Sequence, residues 1–418
     1  MQEKLYPWRW AILIGMTVLL VSLQFSFIVP GGAAILVMQH YQCEPMMFSM
    51  IMSIPYFSGV LFCMAGGVLA DRMVFAAAFV VSLLGALARC FSADYWTLFA
   101  SSFFMGMGVA ALNANSAKLL RLWFPGTANS FAMGVYTAGM SAGAALAIWY
   151  GSRVAAIQDA WWFSFGLMAV GVVAWFAVYR KHPDGEHRSV EPVGTYLRVV
   201  ARNWHVWAVA IVALLVFGMT NVNGSYMVAA VTALMGDPSL TAVAGDLSTL
   251  NTVIACVASM ALPVVFAKLF KNMRAPFIAC LAGTAVCFAL VFFLPYGPIT
   301  WVLFCIQPVL MASVMPFTKM LPTLLPSVRP EHYGVVGGIQ ATFQNFGMFL
   351  IASYVISPLA IAATGAVDGV PYYQGVYVAT AVLCLVAAAS LFLFPNVRSS
   401  VARKIADEQA AAPAERAE

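Results

Sequence analysis

The chain has 418 residues, 62% of them hydrophobic and 9% charged, with a mean hydropathy of +0.88. A soluble domain is about 25% charged, so no water-facing surface could cover this much apolar side chain and the solvent has to be lipid. The net charge of +5 is spread over the polar breaks, which fits membrane orientation and excludes a nucleic-acid-binding face.

A bilayer-crossing helix takes about 20 apolar residues. Runs of that kind fall near residues 10–38, 45–70, 74–92, 96–121, 128–152, 160–179, 205–234, 244–267, 275–294, 298–325, 333–363 and 373–395. The expectation is an all-α membrane protein of twelve transmembrane helices. Trp8 and Trp10, either side of Arg9, suit an interfacial anchor at the first run. That run is too long for the apolar core of a secretory signal, so no cleaved leader is expected. The longest polar break, "YRKHPDGEHRSVEPVGTYLRVVARN", stands between the sixth and seventh runs. It divides the chain into an N-terminal six-helix bundle (1–179), a linker (180–204), a C-terminal six-helix bundle (205–397) and a polar, alanine-rich tail (398–418) expected to be frayed or disordered. None of the eight cysteines makes a C-x-x-C pair, so neither a disulfide framework nor a metal site is expected, and no cofactor.

The basic residues set the orientation. With a cytoplasmic N-terminus, only Arg89 and Arg153 of the 21 Lys and Arg residues fall on the outer side. The positive-inside rule therefore places both termini in the cytoplasm of a multi-pass plasma-membrane protein.

The halves repeat one another. "SAKLLRLWFP" closes the fourth run and "FTKMLPTLLP" the tenth, which pairs Lys118 with Lys319 at an offset of 201. "GVYTAGMSAG" from Gly134 matches "GIQATFQNFG" from Gly338, and "LQFSF" around Gln24 lies against "TNVNG" around Asn221. Three matches in chain order read as a six-plus-six duplication. Lys118 and Lys319 could snorkel to the inner headgroups. Their symmetric placement points instead to a pair of cations facing a central cavity, drawing an anion inward or holding an inner gate.

Residues 66–72, "GGVLADR", with Gly67, Asp71 and Arg72 in register, resemble the front half of the loop motif of the major facilitator superfamily. The motif's second glycine and basic pair are replaced by "MVFAAAF". The stretch "KLLRLWFPGTANSFAMGVYTAGMSAGAALA" is similar to the branch of nitrate/nitrite and cyanate porters and related organic-anion carriers. That branch's nitrate porters carry an arginine in helices two and eight, and here both runs lack one, which disfavours nitrate. The resemblance implies two pseudo-symmetric bundles with helices one, four, seven and ten around the cavity. It also implies a gating role for Asp71 and Arg72, with Arg121 as a nearby cation.

None of the sixteen acidic residues and none of the five histidines falls in the middle of an apolar run. Proton coupling through a buried carboxylate therefore lacks its residue. Exchange or facilitated diffusion needs none. An intramembrane enzyme would need a cluster of His, Asp, Glu or Cys at depth, so no enzyme is expected. The mid-depth polar residues are amides: Gln24, Asn113, Asn115, Asn221, Asn223, Gln307, Gln340, Gln344 and Asn345. They suit a carboxylate or neutral polar ligand or serve as interhelical glue. Candidate substrate contacts are Lys118, Lys319, Gln24, Asn113, Asn221 and Gln344. Pro308, Pro316 and Pro322 bracket Lys319, so that segment is expected to be bent and partly unwound. Glycines of the fifth and eleventh runs are expected to pack, or to slide as the halves rock. The leading reading is a monomeric carrier of a small organic anion in the lipid bilayer, an exchanger or uniporter. Efflux of apolar or cationic compounds and a non-transporting receptor are the alternatives.

Overall fold

A computed structural model describes residues 6–68, 72–124, 128–180, 202–270, 272, 274–324 and 333–393. The helices of the first half are α1 (Arg9–Gly32), α2 (Ala34–Tyr41), α3 (Pro45–Val68), α4 (Arg72–Cys90), α5 (Tyr95–Trp123), α6 (Ala128–Gly151) and α7 (Ile157–Val178). Those of the second are α8 (Trp204–Met235), α9 (Thr241–Leu269), α10 (Arg274–Val291), α11 (Pro298–Leu324), α12 (Tyr333–Leu350), α13 (Ser357–Thr364) and α14 (Gly369–Ser390). Helices α1 and α2 together form the first span. Helices α12 and α13, joined by the π-helical segment Ile351–Ile356, form the eleventh. Among the described residues ten segments are long and apolar enough to cross a membrane. The shorter apolar segments Pro45–Leu61 and Ala76–Cys90 supply the other two spans. Twelve crossings return the chain to the face it started from, called the terminal face below. The linker (apart from its ends) and the tail lie outside the described residues.

Helix boundaries follow from capping. Asp94 caps α5 in a reciprocal box: its Oδ1 accepts the Thr97 N–H at 2.7 Å, and Thr97 Oγ1 accepts the Asp94 N–H at 3.3 Å. The Thr97 N–H holds the Asp94 carboxyl below its ordinary value. Asn203 caps α8 by accepting the His205 N–H, and Gly236 ends it at φ 71°.

The two halves repeat one set of neighbours. In the first, α1 packs on α6 and α7, and α5 packs on α3 and α4. In the second, α8 packs on α12 and α14, and α11 packs on α9 and α10. Between halves α3 meets α12, and α6 meets α9. Large apolar side chains such as Phe91, Trp96, Val173 and Leu269 are exposed, as a lipid-facing surface requires. Glycines set the close approaches inside each half. Gly143 of α6 lies on the Val21 backbone of α1, and Gly347 of α12 lies on the Leu214 backbone of α8. These two mid-span glycines are therefore packing positions within a half, not a sliding surface between halves.

Helix α11 runs unbroken to Leu324, against the expected unwinding around Lys319. The reason lies in how freed carbonyls are satisfied. A proline has no N–H, so the carbonyl four residues before it loses its helical donor, and in lipid a side chain has to replace it. Pro322 frees the Thr318 carbonyl, which accepts Gln340 Nε2 of α12 at 2.6 Å. Pro308 frees the Phe304 carbonyl, which accepts Asn251 Nδ2 of α9 at 2.9 Å. In α1, Pro30 frees the Ser26 carbonyl, which accepts Arg89 Nη1 of α4 at 2.7 Å. Arg89 is fully buried, with Nη2 on Ser102 Oγ and its guanidinium over the Trp161 ring at 5.1 Å. Replacing Gln340 by Leu should orphan the Thr318 carbonyl and cost about 1–3 kcal/mol. Thermal unfolding of the purified variant should show a lower midpoint, and adding Pro322→Ala should recover much of the loss.

Candidate functional site

A cavity of about 180 Å³ opens between the halves at mid-depth. Ile28, Ala144 and Ile148 line it from the first half, and spans seven, eight and ten line it from the second. This is below the usual range of about 300–1,000 Å³ for ligand pockets and suits a small solute. Its polar wall is a cluster of three amides. Asn223 Nδ2 of α8 and Asn251 Nδ2 of α9 both donate to Gln307 Oε1 of α11, at 3.1 and 3.2 Å. Ser248, Thr220 and Thr252 add hydroxyls, and Met219, Met311 and Met315 add an adaptable apolar wall. No charged side chain is among the residues that line it.

Lys319 stands on the same face of α11 as Met311 and Met315, four residues further on, which is about 6 Å along the helix toward the terminal face. Its side chain is exposed, yet the ammonium turns inward over the buried Phe217 ring of α8, 5.6 Å from the centroid. The lysine thus stands one turn beyond the lining residue Met315 and is not itself among the lining residues. Lys118 and Arg121 are on α5 and Arg72 opens α4, but their side chains lie outside the described residues, as does Asp71.

The other expected contacts divide into two kinds. Asn113 is exposed, and its Oδ1 accepts Tyr136 Oη–H at 2.8 Å. Gln24 is buried one turn before Ile28, with Oε1 unpartnered among the described residues. Gln344 is half-buried on α12. Asn221 is engaged structurally: its Nδ2 donates to the Met348 carbonyl at 2.9 Å and to Ser53 Oγ at 3.3 Å. Asn251 was not among the expected residues. The signal that could have found it is an amide inside the apolar run "LSTLNTVIACVASM", where an uncharged polar group still needs a partner.

Contacts between the halves gather at the far face. Arg153 Nη2 pairs with Asp246 Oδ1 at 2.5 Å, joining the ends of α6 and α9. Ser353 of the π-helical segment meets Ser49 and Ser53 of α3 at 2.9 and 2.6 Å. A Cβ added at Gly31 of α1 would meet the Gly224 carbonyl of α8 at 2.5 Å. A Cβ at Gly134, Gly337 or Gly338 would meet nothing within 4 Å among the described residues.

The sequence profile of the Major Facilitator Superfamily matches residues 14–352. The chain belongs to the major facilitator superfamily. No curated protein matches its sequence. Solved structures share its fold. A bacterial homolog of the human lysosomal transporter Spinster, in an inward-facing and unoccupied conformation, is 14% identical with a TM-score of 0.72 over 93% of this chain and 97% of that one. The nucleoside transporter NupG is 13% identical with a TM-score of 0.73 over 93% of this chain and 99% of that one. The chain is accordingly a membrane transporter and not an enzyme. In this superfamily member Ser49 and Ser353 join the two halves by a hydrogen bond. A Ser49→Cys, Ser353→Cys pair, placed in a background without the native cysteines, should oxidise readily and stop solute flux in proteoliposomes. Reduction should restore flux.

Proposed function

We propose that the chain is an alternating-access transporter of a small organic anion, acting as a monomeric exchanger or uniporter in the plasma membrane with both termini cytoplasmic. The observation that carries the anion is Lys319. Its ammonium lies over the buried Phe217 ring, and the ion pair found among the described residues, Arg153–Asp246, does not involve it. A cation in a wet, low-dielectric funnel raises the local concentration of anions. Lys118, its repeat partner on α5, is proposed to contribute from the opposite half. The similarity of residues 118–147 to nitrate/nitrite and cyanate porters supports the same class.

The mode of coupling is argued from the carboxylates. Glu44, Asp94, Asp159, Asp237, Asp246 and Asp368 all stand at or beyond the far ends of their helices, so the described acids offer no membrane-embedded proton carrier. The orientation is supported by the distribution of Lys and Arg. Asp71, Arg72 and Arg121 are proposed to clasp the terminal-face ends of the helices when the carrier opens the other way, because a carboxylate beside a cation or helix N-termini is favourable in a partly dry setting. Asp71→Asn should then slow transport more than it weakens binding.

A second reading, an uncharged polar solute, is favoured by the neutral wall of the cavity. One experiment separates the two. Under the anion reading Lys319→Gln raises KM for small carboxylates about tenfold at low salt, less at physiological salt, and leaves kcat near its wild-type value. Lys118→Gln adds to the effect, and the double variant loses salt-sensitive binding. If uptake of carboxylates and of neutral metabolites responds equally to Lys319→Gln, the anion reading fails.

A further inference from the structure

Lys319 is five residues from the end of α11, near enough to the terminal-face headgroups for a lysine stem to snorkel toward them. It goes the other way. A helical side chain leans toward the N-terminus of its helix, and α11 begins at the far face, so the lysine leans toward the cavity. Its ammonium crosses to α8 and lies over the Phe217 ring, 5.6 Å from the centroid. The two residues are level in the membrane. Lys319 is four residues, about 6 Å of helix, beyond the lining residue Met315, and Phe217 is three residues, about 4.5 Å, before the lining residue Thr220. The ring is buried, at 1% exposure, and is held by the packing around α8, whereas the lysine is exposed. The ammonium makes no hydrogen bond and no ion pair among the described residues. Its position is set by the ring, and its three N–H donors are unspent.

We propose that Phe217 is the positioning residue of Lys319, and that its ring sets the affinity for the anion without touching it. The negative face of an aromatic ring attracts an ammonium without a counter-charge. A carboxylate in the same place would also hold the lysine, but it would neutralise the charge and occupy the donors that an arriving anion needs. The ring leaves both available. Because burial already fixes the ring, no second side chain has to be ordered to hold the first. Without the ring's attraction the same stem is free to swing to the terminal-face headgroups, whose phosphates compete with the solute for it. The inference rests on the reading of Lys319 as the contact of the anion.

The test uses the purified full-length chain in lipid nanodiscs, with acetate, lactate and succinate as probes. Trifluorophenylalanine incorporated at position 217 keeps the shape of the ring and drains electron density from its face, so the fold is retained while the attraction is lost. At low salt it should weaken carboxylate binding about fivefold. Fluorination on top of Lys319→Gln should weaken it no further, because the ring acts only through the lysine. A thermal cycle checks the same pair without ligand: fluorination should lower the unfolding midpoint of the wild type and leave that of Lys319→Met unchanged. Binding that depends on Lys319 but not on fluorination overturns the inference. So do losses from Phe217 and Lys319 that simply add, or a midpoint shift that is equal in both backgrounds. If no carboxylate binding depends on Lys319, the anion reading fails instead, and the thermal cycle decides whether the ring holds the ammonium.

Discussion

Lipid offers no hydrogen bond to a broken helix, and this one constraint explains where the polar side chains of the molecule are. A proline inside a span releases a carbonyl, and at three such prolines a side chain of another helix satisfies it. Arg89 answers Pro30, Asn251 answers Pro308 and Gln340 answers Pro322. The π-helical segment is treated in the same way: Asn221 bonds the Met348 carbonyl and the Tyr226 hydroxyl bonds the Ala352 carbonyl. All five donors reach from a different span of the same half, and Asn221 also touches Ser53 across the halves. Repairing the backbone therefore ties helices together and leaves little freedom in how the repairing side chains point.

The contacts that shut the far face differ from those inside each half. Beside the rim pair Arg153–Asp246 they include hydroxyls and bare backbone, Ser49 and Ser53 on Ser353 and Gly31 on Gly224, together with Phe57 of α3 against Phe349 of α12. Neutral hydroxyl pairs contribute about 1 kcal/mol each and are readily replaced by water. An interface that must form and dissolve once per cycle is suited by such terms, whereas a buried ion pair would cost several kcal/mol to leave unpaired. The interior of each half, held by Phe277 stacked on Phe317 and by helices seated on glycine, has no such exit. Rigid halves and a weak polar seam are the physical content of a rocking motion.

Charge is divided along the membrane normal. Among the described residues the carboxylates stand toward the far face, no charged side chain lines the cavity, and Lys319 stands one turn beyond the lining residue Met315. A charge in the cavity wall would hold an oppositely charged solute tightly and slow its release. A charge at the mouth acts on arrival and is screened by salt. Gln307 and Lys319 stand twelve positions apart on α11, about 18 Å of helix.

The sequence by itself determined the number of spans, the division into halves and the family. Apolar length is a local property, and the offsets joining Lys118 to Lys319 and Gln24 to Asn221 survive in the chain as text. Lys319 was legible as a pore-facing candidate for the same reason. What only the tertiary structure decided is which amides are free. Asn221 and Gln340 read like Asn223 and Gln307 in one dimension, since all four are amides in apolar runs. The first two are committed to carbonyls of neighbouring helices, while Asn223 keeps a buried oxygen without a partner among the described residues. The sequence shows each proline and therefore each carbonyl that lacks a donor. It does not show which side chain, tens of residues away, lies close enough to supply one, because that depends on how the helices pack.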